Sequence, residues 1–553
     1  MKHNSRGSVL RLCLVALAAL VPDTAWSQHA VPTLGDEQVP IFNDLGDHTH
    51  PITVSMPVAQ QYFDQGLRLC FAFNHDEAIR AFLAAARADG TCAMAHWGVA
   101  FALGPNYNLE VDSERQIAAC DAIDKATQLA AGGSADERAY IEALAVRYSR
   151  AAAADRKQLD RAYADAMCQL AERFPDDLDA ATLAAEALMN LRPWDLWTRE
   201  REPQPGTEQI VAMLERVLEK NPRHPGANHL YIHAVEASSK PERALPCADR
   251  LGALMPGAGH LVHMPSHIYF RIGRYGDAVA CNQRAVEVDR LYVEKYKPGC
   301  VYPKMYYTHN AHFLWSALCV EGRSAEALAA AKNLAALLPE ETIREMPMVE
   351  YFAPIPLFTL ARFARWDEVL AAPKPPDDFS YTTGMWHYVR GLAHLGKGRA
   401  DEAGAELKRL QEIRAGISAE LVLMRHSASE LLGIAEGVLA GELEASAKRF
   451  DAASDHFREA IRLQDGLQDD EPPPWYFSVR ESLGRMLLEA GKPAEAEAIY
   501  REDFRRLPEN GWSLFGLARA LEAQGSAEAG AVKARFETAW SRADVRLPLV
   551  AGH

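Results

Sequence analysis

Histidines recur in this sequence at a fixed interval. His229 and His263 stand 34 residues apart, and so do His233 and His267. Eight of the 19 histidines fall between His224 and His312. Imidazole is the commonest biological ligand for zinc, copper, nickel and iron. A pair at i, i+4 shares one helix face and can chelate one ion. Histidines scattered through a core have no reason to repeat in phase. Cys247 and Cys281, and Ala244 and Ala278, keep the same interval of 34, which is the period of a repeated helix-turn-helix unit.

The elements that position these side chains follow from the pattern around them. From Gln60 onward the apolar spacing is helical, strand patterns are essentially absent, and the fold class expected is all-α, an α-solenoid. In QYFDQGLRLCFAFNHDEAIRAFLAAARADG, Gly66, Ala78, Phe82 and Ala85 fall where two antiparallel helices cross, where small residues allow close approach and an aromatic fills the gap. This resembles the tetratricopeptide repeat (TPR). The strings FNHDEAIRAF, AMAHWGVAFALGPNYN, HLYIHAVEAS and GHLVHMPSHIY are similar to those of a family of exported bacterial TPR proteins of about this size. The resemblance implies a fold and a location, and hardly any chemistry.

In TPR proteins the first helix of each unit lines a concave groove. Taking the packing alanines Ala244, Ala278 and Ala327 as anchors, His229, His263 and His312 lie 15 residues before them. His233 and His267 lie 11 before theirs, with Ser316 in that place in the next unit, and His260 and His309 lie 18 before. Aligning Pro175 with Pro222 puts Glu186 in the column of His233 and His267. The expected metal ligands are therefore Glu186, His229, His233, His260, His263, His267, His309 and His312, with Tyr307 and Glu236 at the margins. His229, His233, His263 and His267 form a natural tetrad. His260, His309 and His312 form a more open triad, able to leave a coordination position for water. Imidazole and carboxylate without thiols suit zinc, iron or copper.

Three functional readings stand side by side. The first is a scaffold binding a metal ion or ligand in a His-rich groove. The second is a protein-protein interaction scaffold that holds a peptide without metal. The third is a metal-dependent hydrolase or oxidoreductase. No phosphate loop, nucleotide fingerprint, GxSxG elbow or HExxH motif is present. HLYIH has zincin spacing, but Leu230 stands where the general base belongs. Elsewhere, His48 and His50 in HTHP read as a mobile exposed pair. His75 and His96 read as core or turn residues, His387 and His394 as a surface stripe, and Met255 and Met264 as packing. Trp194 and Trp197 either wall the groove or pin their insert.

Composition bounds the rest. The chain has 553 residues and a formal charge of −16, which argues against nucleic acid and anionic membrane as partners. A protein or peptide partner fits better. Lys2, Arg6 and Arg11, the apolar run Val9–Val21 and the small residues Ala25 and Ser27 read as a signal peptide over 1–27. The expected location is exported, periplasmic or extracellular, with no integral membrane segment after its removal. The expected organisation is an extended lead-in at 28–57, an N-terminal solenoid at 58–370 carrying the His-lined groove, and C-terminal repeats at 381–553. APKPPDDFS lies between the last two, and irregular inserts fall at 104–111, 192–206 and 296–305. The eight cysteines outside 1–27 are an even number, which an oxidising compartment would permit to pair, but most of them read as small buried hydrophobes, Cys247 and Cys281 among them.

Overall fold

A computed structural model describes residues 31–35, 38–151, 154–298 and 301–547. The expected signal peptide lies outside the described residues. Among those described the protein is an all-α, TPR-like solenoid. Twelve helix pairs follow one another from Pro57–Phe71 with His75–Ala88 to Gly511–Ala523 with Ala529–Ala539. The one described sheet is the two-residue pairing of Val422–Leu423 with His426–Ser427.

Helix crossings explain the small-residue columns. Phe82 fills the space between Gly66 of its own pair and Gly98 of the next. A Cβ on Gly66 or Gly98 would stand 2.6 or 2.4 Å from that ring. Tyr500 sits the same way between Gly484 and Gly516. Overpacking of this kind costs about 1–3 kcal/mol. Gly98→Val is expected to lower the urea midpoint measurably with helical content retained. An unchanged midpoint would show that the crossing is loose.

The turn inside the helix pairs is also shared. The second residue after the first helix takes positive φ at Gly273, Gly322, Gly398, Gly491 and Gly525, where glycine meets no steric penalty. Phe73 holds the same place with φ 58°. A bulky residue there costs on the order of 1–3 kcal/mol and persists only where its surroundings hold it.

Residues 38–56 run as a strap along the first helix. Tyr62 Oη donates to Val39 O at 3.0 Å, Gln65 Nε2 to Pro40 O at 2.9 Å, and His50 N to Asp64 Oδ1 at 3.0 Å. The later repeats fold back onto the His-bearing ones. Trp512 Nε1 donates to Cys319 O at 3.1 Å, and Tyr275 Oη to Pro508 O at 2.9 Å. Asp544 accepts from the backbone N–H groups of Ser324 and Ala325, closing the helix Ser324–Leu337 at its N-terminus. No described helix is long and apolar enough to cross a membrane. The seven described cysteines are free, six of them buried.

Candidate metal centre

Three first helices carry the histidines: Pro225–Val235, the broken helix Gly259–His263 and Pro265–Arg271, and Thr308–Val320. Pro265 supplies no N–H and cannot continue the ladder, so the helix divides between His263 and His267. The structure sorts the side chains into two sets of three. His229, His233 and His260 bring ligand nitrogens within 4.8 Å of one another, and so do His263, His267 and His309. The tetrad and triad expected from the register are corrected by this grouping. His260 sits in the first set and His309 in the second, because the helix break and the twist between repeats set the neighbours.

Hydrogen bonds behind the rings decide which nitrogen carries the proton. His229 Nδ1 donates to Phe71 O at 2.7 Å, and His233 Nδ1 to Glu236 Oε1 at 2.8 Å. His263 Nδ1 donates to Asn282 Oδ1 at 2.6 Å, with Ser266 Oγ 3.2 Å from the same nitrogen. The Asn282 amide is oriented by its own donation to Ala278 O. His267 Nδ1 donates to Glu236 Oε2. A neutral imidazole has one N–H, so these four rings turn Nε2 lone pairs inward. The inward nitrogens of His229 and His233, and both nitrogens of His260, have no hydrogen-bond partner although fully buried. In the second set His263 Nε2 and His267 Nε2 face each other at 2.9 Å, and His309 Nε2 stands 3.4 Å from His267 Nε2.

Lone pairs brought this close repel unless a cation lies between them. Burial, reinforced by neighbouring imidazoles, holds His229, His260, His263 and His309 well below their ordinary pKa. Protonation of these four rings is therefore a poor remedy. Two imidazoles on a tetrahedral ion with bonds of 2.0–2.1 Å have their nitrogens about 3.3 Å apart, near the observed 2.9 and 3.4 Å. Metal-bound histidines also characteristically donate their other N–H to a carboxylate or carbonyl. The residues thus have the chemistry of a metal site.

Glu236 is the element that sequence reasoning placed at the margin and the structure places at the centre. It caps the helix Pro225–Val235 and divides its two oxygens between the sets. Burial opposes its charge, but His267 and His233 hold its carboxyl below the usual carboxylate range. The three inserts wall the centre with aromatics. Tyr107 and Trp194 lie 5.4 and 5.6 Å from the His233 ring, and Arg425 from a later repeat stacks 3.8 Å over Trp194. Tyr302 Oη accepts from His260 N at 3.1 Å and donates to Asp289 Oδ1. A π turn over Pro303–Tyr307 turns Tyr306, rather than the expected Tyr307, onto His260 at 4.9 Å. Phe73 packs its ring 4.4 Å from His229 and 5.5 Å from His260, which is what keeps an aromatic at a glycine position.

Two expected ligands lie elsewhere. Glu186 is buried in the field of Arg147 with a hydrogen bond from Asn190, and burial pushes its pKa up to about 7. Its column, one repeat back, faces other partners. His312 stacks on Trp315 at 5.4 Å and meets Phe352 and Tyr351 edge-on, with burial lowering it to about 4. Three residues from His309 rotate the side chain about 60° and raise it about 4.5 Å along the helix, enough to enter the next interface. His75 is buried against Phe73, and His387 bonds Glu406 at 2.5 Å. Met255 and Met264 are core residues.

His48 and His50 are corrected as well. They are not an exposed pair. His48 Nε2 and His50 Nδ1 donate to Asp179 at 2.9 Å, and His224 Nε2 at 3.0 Å. This cluster lines a cleft of about 700 Å³. It has metal-ligand residue types, but His224 Nδ1 accepts from Ala227 N. That leaves its proton on the nitrogen facing Asp179, so the cluster works as a clasp holding the strap. Burial opposes both charges, yet Asp179 raises His50, and the three imidazoles hold Asp179 well below the usual range. The Asp179 contribution is lost as acid takes the pH down through its depressed value. The His50 contribution is full below about 6.5 and lost as pH rises through its raised value. Proteolysis within residues 38–56 is expected to be slowest between those limits. Asp179→Asn is expected to expose the strap at every pH, at a cost of about 3–5 kcal/mol. Equal cleavage in both chains would contradict the clasp.

No protein-family model matches this chain, and no curated protein does. Among solved structures it is similar to the human IFIT1 dimer with PPP-AAAA, at 11% identity over 88% of this chain and 91% of that one, with a TM-score of 0.33. It is also similar to Cut9 in the APC/C Cut9–Hcn1 hetero-tetramer, at 14% identity over 84% and 76%, with a TM-score of 0.31. At such scores the likeness adds nothing to the helix-pair architecture read from the chain itself.

Proposed function

We propose that this chain is a TPR-like scaffold that binds transition-metal ions in its interior, through His229, His233 and His260 and through His263, His267 and His309. The observation that carries the reading is the set of inward Nε2 lone pairs that acceptors behind four of the rings fix, unpartnered at His229 and His233 and turned on each other at His263 and His267. Six imidazoles, no thiol and a carboxylate only behind them suit zinc, copper or iron better than calcium or magnesium. Three protein nitrogens per ion leave a position open, which is what a metal-dependent hydrolase or oxidoreductase requires. A peptide held by these histidines has little support, since five of the six are at most 3% exposed. A protein partner would use the outer surface instead. Export rests on the sequence of residues 1–27 alone, and N-terminal sequencing of the protein from its native source tests it.

The test is elemental analysis of protein purified without a His-tag, before and after reconstitution with each metal. Stoichiometric zinc, copper or iron supports the proposal. Protein that carries none and takes up none contradicts it.

A further inference from the structure

We propose that the two histidine sets are halves of one dinuclear centre, whose ions share a small exogenous bridging ligand of the hydroxide or azide class. This rests on the metal-binding reading above and adds what the ions do to each other.

Three observations point the same way. First, the sets are in contact. The rings of His233 and His267 lie 5.4 Å apart, those of His260 and His263 5.7 Å, and those of His260 and His309 6.4 Å. Two-metal sites with separations of about 3.5–4 Å are built from ligand sets that meet in this way. Second, Glu236 ties them into one rigid unit, with Oε1 on His233 and Oε2 on His267. Both oxygens thus lie behind the rings, on the Nδ1 side and away from the inward Nε2 nitrogens. Third, the outer faces are covered by aromatic rings, and the one phenol among them, Tyr306, has its oxygen occupied by a hydrogen bond from Asn108 Nδ2 at 3.1 Å. Phe73 and Tyr306 cover the first set. Phe313 lies 4.8 to 5.5 Å from all three rings of the second.

Each set offers three nitrogens where a tetrahedral ion takes four ligands. With Glu236 committed and the outer faces closed, the fourth position of each ion turns toward the other. At the separation of about 3.5–4 Å usual for two-metal sites, a ligand of one to three atoms would bridge them, and one such ligand serves both ions. A hydroxide there would supply the nucleophile of a two-metal hydrolytic site, and a small anion would compete for the same place.

Copper(II) loading of the full chain tests this. Two copper(II) ions joined by one small bridge pair their spins, whereas two isolated ions each give a full paramagnetic signal. The expected result is two copper ions per chain, almost no electron paramagnetic resonance intensity, and a new charge-transfer band on adding azide. A His229→Ala, His233→Ala chain should hold one copper with full intensity. Two copper ions with full intensity in the unaltered chain would overturn the dinuclear centre and leave metal binding standing. No copper uptake at all would overturn both. The unaltered chain decides the matter even where the variant fails to fold.

Discussion

A chain carrying His229→Ala, His263→Ala and His267→Ala is expected to take up no metal and to show no thermal response to it. The three rings are 0% exposed, so each change also leaves a space and strips a donor from Phe71 O, Asn282 Oδ1 or Glu236 Oε2. An acceptor left without its donor in the interior costs about 1–3 kcal/mol. The variant is therefore less stable than the metal-loaded parent for two separable reasons. Metal linkage isolates one of them. A ligand at a thousand times its Kd stabilises the folded state by about 4 kcal/mol. In the parent, melting temperature is expected to rise with added metal and to fall with a chelator. In the variant both curves are expected to be flat. A variant that still responds to metal would move the site away from these histidines.

The second large effect comes from a single near-isosteric change. Glu236→Gln keeps volume and shape but replaces one acceptor oxygen with an NH2 group. That group cannot accept from an imidazole N–H. Either His233 or His267 must then turn its proton inward, and its Nε2 ceases to be a ligand. Loss of an outer carboxylate of this kind typically weakens metal binding 10–100-fold. Here the loss falls on one ion, so titration is expected to show one site near parent affinity and one much weaker. The measurement is metal competition against a chromophoric chelator. Two sites of parent affinity would show that Glu236 does not set the tautomers.

Much of the fold was legible because its signals are local. The interval of 34 residues, the Gly66, Ala78 and Phe82 crossing and the missing strand pattern all describe one helix pair and its neighbour. The histidine columns were legible for the same reason. Their grouping was not, since it depends on the twist between repeats and on the break at Pro265, neither of which a linear register contains. Glu186 and His312 show the limit. Each keeps the register and faces a different neighbour one interface away. Phe73 was hidden because a left-handed turn normally signals itself by glycine, and here the packing of its ring overrides that preference. The strap histidines were hidden because Asp179, their partner, lies about 130 residues on, as the separations of 131 and 129 show. Glu236 was within reach. It stands three residues after His233, and a carboxylate at that spacing can bond the imidazole behind a metal.

The central claim is that these six imidazoles hold metal, and crystals of the metal-loaded protein measured at the absorption edge of the bound element test it most directly. The account predicts two anomalous peaks, one bounded by Nε2 of His229 and His233 and a nitrogen of His260, the other by Nε2 of His263, His267 and His309. Peaks confined to the Asp179 clasp or to the surface, with the six rings unchanged and no density between them, would contradict it.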